Sequence, residues 1–439
     1  MRTRHKARPV ALAAAFLASV FTVSATPAGA ETAPATAGVT TQAVFNNPIG
    51  TVAEQRAIVD KQIELIGGAP AGSLIRLSYY YLNDPDLTDA LIAAHDRGVR
   101  VQAIFDEKAL HEEYAPIYSR LAEKLGSDPA GPSFLMTCGT GRGCVGTRVN
   151  NGVVAINHNK FMLFTETQGT ERVVVQSSAN LHAGRDGRLG WNNALVLAGN
   201  DAVYDAYEGY FEDLRARIPN NDYYKTGRPP LASGNAKIHF FPRAEAPGKD
   251  FYGDAGEDTI ATILNNVQCH GNSMVGTTDT HRTRIRVSMT AFARPYLASK
   301  LNELDAAGCY VEVALTYSPP KDDGKYSFAE DSLNRLLAKT SSPYGGVITK
   351  YYCGQDSTWI HDKFLLIEGK YYNTPDRKIV WTGSHNLTTN SLRQSDETLL
   401  QLEAPAIHDA YVTQYNKLRA ATTHQPANGT PIACPRTPV

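Results

Sequence analysis

Hydrophobic and polar positions recur in one order twice along this chain. Between Leu74 and Phe105 the apolar run LIRLSYYYL leads into LTDALIAAHDRG, where apolar residues return every three or four positions, and then into VRVQAIF. The outer segments predict strands and the middle one a helix. The same succession returns between Arg284 and Tyr317 as RIRVSMTAF, YLASKLNELDAAG and CYVEVALTY. Gly98 and Gly308 stand where each helix has to stop. Helical patterns precede both units, QRAIVDKQIELIGGA and EDTIATILNNVQCHG, and others follow them, DAVYDAYEGYFEDL and AIHDAYVTQYNKLRA.

This internal duplication divides the chain into a first half over 31–218 and a second over 237–421. A polar linker over 219–236, with NNDYYKTGRPPLASGN, joins them, and a tail covers 422–439. Strands alternating with helices predict the α/β class, each half a sandwich in which helices cover a mixed sheet. Halves of about 200 residues are long enough to bury substantial cores. Two independent binding domains in tandem would share this pattern, so motifs have to decide between them.

The N-terminus adds a compartment. MRTRHKAR is basic, Val10 to Val23 is apolar, and Ala28-Gly29-Ala30 supplies small residues before Glu31. These features predict a signal peptide over 1–30, cleaved near Ala30, and hence a secreted protein. The apolar core is shorter than the roughly 20 residues needed to span a bilayer. Cleavage removes Arg2, Arg4, Lys6 and Arg8 and no acid, leaving a mature chain more acidic than the formal net charge of −1. That balance argues against a nucleic-acid binder relying on a broad positive field. Six cysteines, Cys138, Cys144, Cys269, Cys309, Cys353 and Cys434, form an even set that predicts disulfides in an exported chain. Cys138 and Cys144 bracket GTGRG and are expected to pair, while spacing leaves the other pairings open. No short Cys-x-x-Cys or Cys/His cluster predicts a metal site.

Chemistry enters with a pair of short motifs. His158-Asn159-Lys160 precedes FMLF, and His361-Asp362-Lys363 precedes FLLI. Each half then runs through a β-rich stretch, ERVVVQ or RKIVWT, to a polar turn: Ser177-Ser178-Ala179-Asn180 in the first, Gly383-Ser384-His385-Asn386 in the second. Residues two apart on a strand share a face, so each His and Lys point into one site. These residues resemble the paired H-x-K-x4-D and G-S-x-N motifs of the phospholipase D superfamily, and the resemblance covers almost the whole mature chain.

The resemblance implies two phospholipase D-type half-domains sharing one active site at their interface, acting on phosphodiesters without metal or cofactor. Such a reaction needs a nucleophile, an acid for the leaving oxygen, and charge or donors around the phosphoryl oxygens. By resemblance His158 is the nucleophile and His361 the general acid and then base, with a covalent phosphohistidine resolved by water or an alcohol. Lys160 and Lys363 would supply charge, Asn180 and Asn386 amide donors, and Ser178 and Ser384 further hydroxyl donors. Supporting groups are expected where the superfamily often places an acid that orients a histidine: Asp396-Glu397 after the second motif, Asn192-Asn193 after the first. On this reading a carboxylate lies beside His361 and a neutral amide beside His158. Only one member of the Asp396-Glu397 pair can face inward on a regular strand.

The family aspartate is missing from both halves, its positions being Thr165 and Glu368. Seven residues beyond its histidine, that position falls on the opposite strand face, so its role is expected to be structural. Branches resembling tyrosyl-DNA phosphodiesterase also lack it. Glu166 faces the wrong way to replace it.

The substrate is read more coarsely. Tyr79-Tyr80-Tyr81, Trp191, Tyr351, Tyr352 and Trp359 lie near the motifs and could line an entrance for a lipid, stack bases, or belong to the core. Export, disulfides and acidity favour a phospholipid substrate at a membrane or micelle surface over nucleic acid, and the layout resembles secreted actinomycete phospholipase D. The alternatives are an extracellular nuclease or other phosphodiesterase of the superfamily, or a catalytically impaired phosphate- or lipid-binding relative. Membrane contact is expected to be peripheral, through Ser318 to Ser327 or the aromatic edges of the cleft. His182, His270 and His385 read as surface or packing residues, and a chain carrying both motif copies is expected to act as a monomer.

Overall fold

Two sheets account for the repeated pattern. The first runs in the order Gln42–Phe45, Asn193–Leu197, Thr170–Ser177, Lys160–Thr167, Leu74–Tyr79, Arg100–Phe105, Phe134–Thr137. The second runs Leu231–Ser233, Ala236–Phe241, Glu397–Glu403, Thr374–Gly383, Lys363–Tyr371, Arg284–Met289, Tyr310–Tyr317, Ile348–Cys353, with Val267–Gln268 pairing on Lys363–Tyr371. In each sheet the strand leading into the crossover helix pairs parallel with the strand that follows it and antiparallel with the His-x-Lys strand. This computed structural model describes residues 38–184, 186–318, 330–354 and 356–422, together with 424 and 434. The leader expected over 1–30 and the loop beyond Ser318 lie outside them.

The helices form where the pattern places them. Val52–Gly67 starts with a capping box between Thr51 and Glu54, and Pro85–Asp96 is capped by Asp84 and starts with proline at its first position. Pro295–Ala306, Asp201–Ala216 and Pro405–Ala421 complete the duplicated set. Gly98 and Gly308 end the crossover helices at φ +93 and +95, a conformation that costs glycine least. One expectation is corrected. The helix read through 257–271 stops at Asn265, because Val267–Gln268 becomes a strand and Cys269 bridges to Cys309.

Strand alternation sends side chains to two cores. Met162 and Phe164 meet the helices Val52–Gly67 and Pro85–Asp96 on the outer face of the first sheet. Phe161 and Leu163 point inward, where Tyr207 and Tyr210 of Asp201–Ala216 also bind Ile238, Phe240, Leu400 and Leu402 of the second half. The C-terminal helix repeats this role from the other side: Tyr411 and Tyr415 pack on Phe364, Leu366 and Val380, and Tyr411 meets Phe45 edge to face at 4.8 Å. The last helix of each half thus covers the junction of both. Within the stretch read as a linker, Tyr223–Thr226 makes one helical turn and Leu231–Ser233 edges the second sheet.

All six cysteines are bridged. Cys138–Cys144 pair as expected, and the pairings left open are Cys269–Cys309 and Cys353–Cys434. Among the described residues no helix is long and apolar enough to cross a membrane.

Candidate active site

The two His-x-Lys segments converge because each is stitched to the opposite half. The His158 amide donates to the Asp396 carbonyl at 3.0 Å, and the Asp396 amide donates to the Ile156 carbonyl at 2.9 Å. In the other direction Gly190–Trp191 pairs parallel with Trp359–Ile360, and the His361 amide donates to the Trp191 carbonyl at 2.9 Å. Both imidazoles line one cavity of about 300 Å³, with Asn180, Asn386, Tyr80, Asp186, Trp359 and Glu397 in its wall.

Side chains behind the rings also cross the junction. His158 Nδ1 lies 2.8 Å from Glu397 Oε1, and His361 Nδ1 lies 3.0 Å from Asn192 Oδ1. A carboxylate only accepts, so His158 Nδ1 carries the proton. The Asn192 amide nitrogen is spent on the carbonyls of Gly187 and Gly190, so its oxygen faces His361, whose Nδ1 also donates. Each ring is left with Nε2 as its lone-pair nitrogen.

This corrects the expected placement of the supporting groups. The carboxylate lies behind His158 and the neutral amide behind His361, because each group serves the histidine of the other half. The register also differs by one. The Ser178 amide donates to Asn193 O and the Ser384 amide to Thr398 O, which makes Asn192 the counterpart of Glu397. Asn193 therefore does not reach a histidine: it donates to Asp362 at 2.6 Å and accepts from Thr382 and Tyr411. Both members of the acidic pair are buried, Glu397 toward His158 and Asp396 toward the loop after Cys138.

The serines expected as phosphate donors are engaged elsewhere. Ser178 Oγ donates to Asn192 Oδ1 at 2.8 Å, reinforcing the group behind His361, and Ser384 Oγ accepts from the Thr398 amide at 3.0 Å. Lys160 and Lys363 are buried beneath the histidines, each ammonium donating to the carbonyl of the histidine two residues before it, at 2.8 and 2.7 Å. Lys363 also reaches Thr290 Oγ1, a cavity residue, at 3.1 Å.

Of the aromatics near the motifs, Tyr80 and Trp359 line the cavity. Tyr80 meets the His158 ring edge to face at 5.5 Å, and Trp359 lies nearly parallel to His361 at 6.3 Å. Tyr79, Trp191, Tyr351 and Tyr352 are core residues, and Tyr81 donates to Asp186 at 2.5 Å. His385 stacks on buried Phe241, His182 accepts from the Gly184 amide, and His270 contacts Arg282. Thr165 exchanges hydrogen bonds with the Leu74 backbone, and Glu368 contacts Arg286 and the Gly276 amide. Two clusters of potential metal ligands occur among the described residues, Cys138–Cys144–Asp396 and Cys353–Asp356–His424, and disulfides consume the cysteines of both. Asp186, an acid in the cavity wall, is not revealed by the motifs; it follows the first polar turn.

Burial sets the electrostatics. It holds the His158 imidazole down, to about 4, against the pull of Glu397 upward, and it holds His361 well below the ordinary histidine value with help from Lys363. Lys160 is depressed by burial and by Lys363, and burial brings Lys363 to about 8. Glu397→Gln is expected to lower kcat about 10²-fold. Because the carboxylate raises the His158 pKa, its removal is expected to move the acid limb of kcat/KM, measured with bis(p-nitrophenyl) phosphate, to lower pH. An unmoved limb would show that Glu397 does not govern His158.

Comparison with known proteins places this geometry. The family described as cardiolipin synthase, PLD-like domain, matches residues 63–215 and 278–419. Comparison with curated proteins gives no match. Among solved structures, phosphatidylserine synthase from Haemophilus influenzae Rd KW20 is similar at 17% identity over 88% of this chain and 87% of that one, with TM-score 0.56. Polyphosphate kinase from Porphyromonas gingivalis is similar at 13% identity and TM-score 0.48 over 86% of this chain, which spans half (50%) of that protein's length. Nuc from Salmonella typhimurium, a phospholipase D family member, matches at 17% identity over 40% of this chain and 95% of its own, with TM-score 0.29. With the family matching once in each half, the chain belongs to the PLD-like domain family and carries two copies of its fold.

Proposed function

We propose that this chain is a secreted phosphodiesterase of the phospholipase D type, which hydrolyses the head-group ester of glycerophospholipids through a phosphohistidine on His158. The observation that carries this reading is the pair of histidines, one from each half, with both Nε2 atoms left to a single cavity. His158 Nε2 attacks phosphorus as the bond to the head-group oxygen breaks, and His361 gives that oxygen a proton. Water then loses a proton to His361 and attacks phosphorus, the P–N bond breaks, and phosphatidate leaves. An alcohol in place of water gives transphosphatidylation.

The unequal supports favour this division of labour. Attack leaves positive charge on the phosphorylated imidazole, and Glu397 stabilises charge that develops there. Asn192 gives His361 no such stabilisation, making it the stronger acid for an alkoxide leaving group. A phosphodiester anion seated beside Lys160, Lys363 and His361 restores the protonated forms that burial disfavours.

Lipid is favoured by Asp186. A carboxylate in an anion-binding cavity repels a polyanion but suits a phosphodiester that carries a cation, as an amine-bearing head group does, with Tyr80 and Trp359 as aromatic faces beside it. Secretion is supported by the three disulfides. The test is head-group release from phosphatidylcholine vesicles with chelator present, beside a plasmid control. Release without nicking is expected. Asp186→Asn is expected to lower kcat/KM for the choline ester about 10-fold and to raise it for bis(p-nitrophenyl) phosphate, since a lost negative charge opposes one substrate and helps the other. Nicking without release would move the chain to the nuclease alternative.

A further inference from the structure

We infer that the loop from Cys138 to Gly146 in the first half is an anion nest whose ligand is the Asp396 carboxylate of the second half, and that this seating aims Glu397 at His158. Three successive backbone amides converge on the carboxylate. Cys144 N makes the closest approach, Gly146 N donates at 2.7 Å, and Val145 N lies 3.3 Å from both oxygens. Asp396 is fully buried; burial pushes its carboxyl up to about 7, and the hydrogen bonds from Gly146, Cys144 and Val145 pull against that rise, so these amides are what offsets the lost solvation.

The loop sequence CGTGRGCVG fits this task. A Cβ on Gly143 would stand 2.7 Å from Asp396 Oδ2, and one on Gly146 would overlap the Gln394 carbonyl oxygen. Only glycine lets the loop close over the acid at these two positions. The Cys138–Cys144 disulfide draws the loop shut, and Gln394 Nε2 ties the neighbouring backbone to the Arg148 and Val153 carbonyls.

The seating reaches the site through strand geometry. Asp396 is bound by its carboxylate to the loop and by its backbone to Ile156 and His158. Its successor on an extended strand must face the other way. That successor is Glu397, whose Oε1 meets His158 Nδ1 at 2.8 Å. The corresponding position in the first half is Trp191, a buried aromatic, so the tie exists on the His158 side alone. Asp396 is thus a positioning residue that acts through Glu397.

The inference rests on the proposed role of His158, and its test reads the ring as well as turnover. In the full chain, the His158 Nδ1 proton is located by NMR as the downfield resonance lost in Glu397→Gln. Asp396→Asn replaces one acceptor oxygen with a donor facing the amides and is expected to shift or broaden this resonance. It is also expected to lower kcat on bis(p-nitrophenyl) phosphate at least 10-fold with little change in KM, and to move the acid limb downward as Glu397→Gln does. Cys138→Ala/Cys144→Ala, which leaves both other disulfides intact, is expected to act in the same direction. A wild-type resonance and pH profile in either folded variant would overturn the inference. If wild-type protein turned over no phosphodiester, the functional reading would fail while the resonance still decided whether the loop positions Glu397.

Discussion

His158→Ala and His361→Ala are each expected to lower kcat for head-group release by at least ~10⁴-fold, and the double variant to be scarcely worse than either. Both rings line one cavity, and each is held by a residue from the other half, so the pair forms one unit. Losing the nucleophile leaves nothing for the acid to assist. The two variants are expected to differ with leaving group. A p-nitrophenolate departs without a proton, so His361→Ala should still release a first-turnover burst of p-nitrophenolate from bis(p-nitrophenyl) phosphate and then stall at hydrolysis of the phosphohistidine, while His158→Ala should show no burst. Pre-steady-state release of p-nitrophenolate, beside steady-state head-group release, checks this. Losses that multiply in the double variant would indicate two independent sites.

Lys160→Met and Lys363→Met are expected to lower kcat by about 10²–10³-fold each, the cost of removing a preorganised group that stabilises developing charge. The amines are fully buried and bonded to the His158 and His361 carbonyls, so each, once protonated beside a bound anion, places charge directly beneath a motif histidine. Burial brings the Lys363 pKa from 10.5 to about 8, which amounts to roughly 3 kcal/mol of strain on the protonated form in the folded state. A base with a depressed folded pKa costs stability in full below that value and nothing above its unfolded one. Wild type should therefore gain stability relative to Lys363→Met as pH rises from about 8 to 10.5, read from denaturant midpoints. A variant that kept near-wild-type kcat would place the lysines outside the chemistry.

The duplicated α/β order can be read in the chain because strands and helices write their periods locally, as in LIRLSYYYL and RIRVSMTAF. The convergence of the His-x-Lys segments follows from two copies of one motif. Contacts across the junction leave no such trace. Strand parity says that Asp396 and Glu397 face opposite ways, but nothing nearby in sequence says that Glu397 faces His158 or that the Cys138 loop waits for Asp396. Asn193 and Asn192 are adjacent amides of one kind, and only the paired backbone bonds of Ser178 and Ser384 fix which of them corresponds to Glu397. The serines misled for a related reason. A hydroxyl beside a motif asparagine suits a phosphate, yet folding spends Ser178 on Asn192 and Ser384 on Thr398. Asp186 lies outside both motifs, and only the fold carries it into the cavity wall.

The central claim, one phosphodiester site with His158 as nucleophile, is tested most directly by covalent trapping. Wild-type protein would be mixed with bis(p-nitrophenyl) phosphate, quenched into base within milliseconds, and mapped by peptide mass spectrometry. A phosphoryl adduct on His158 is the expected result, and an adduct on His361 would contradict it.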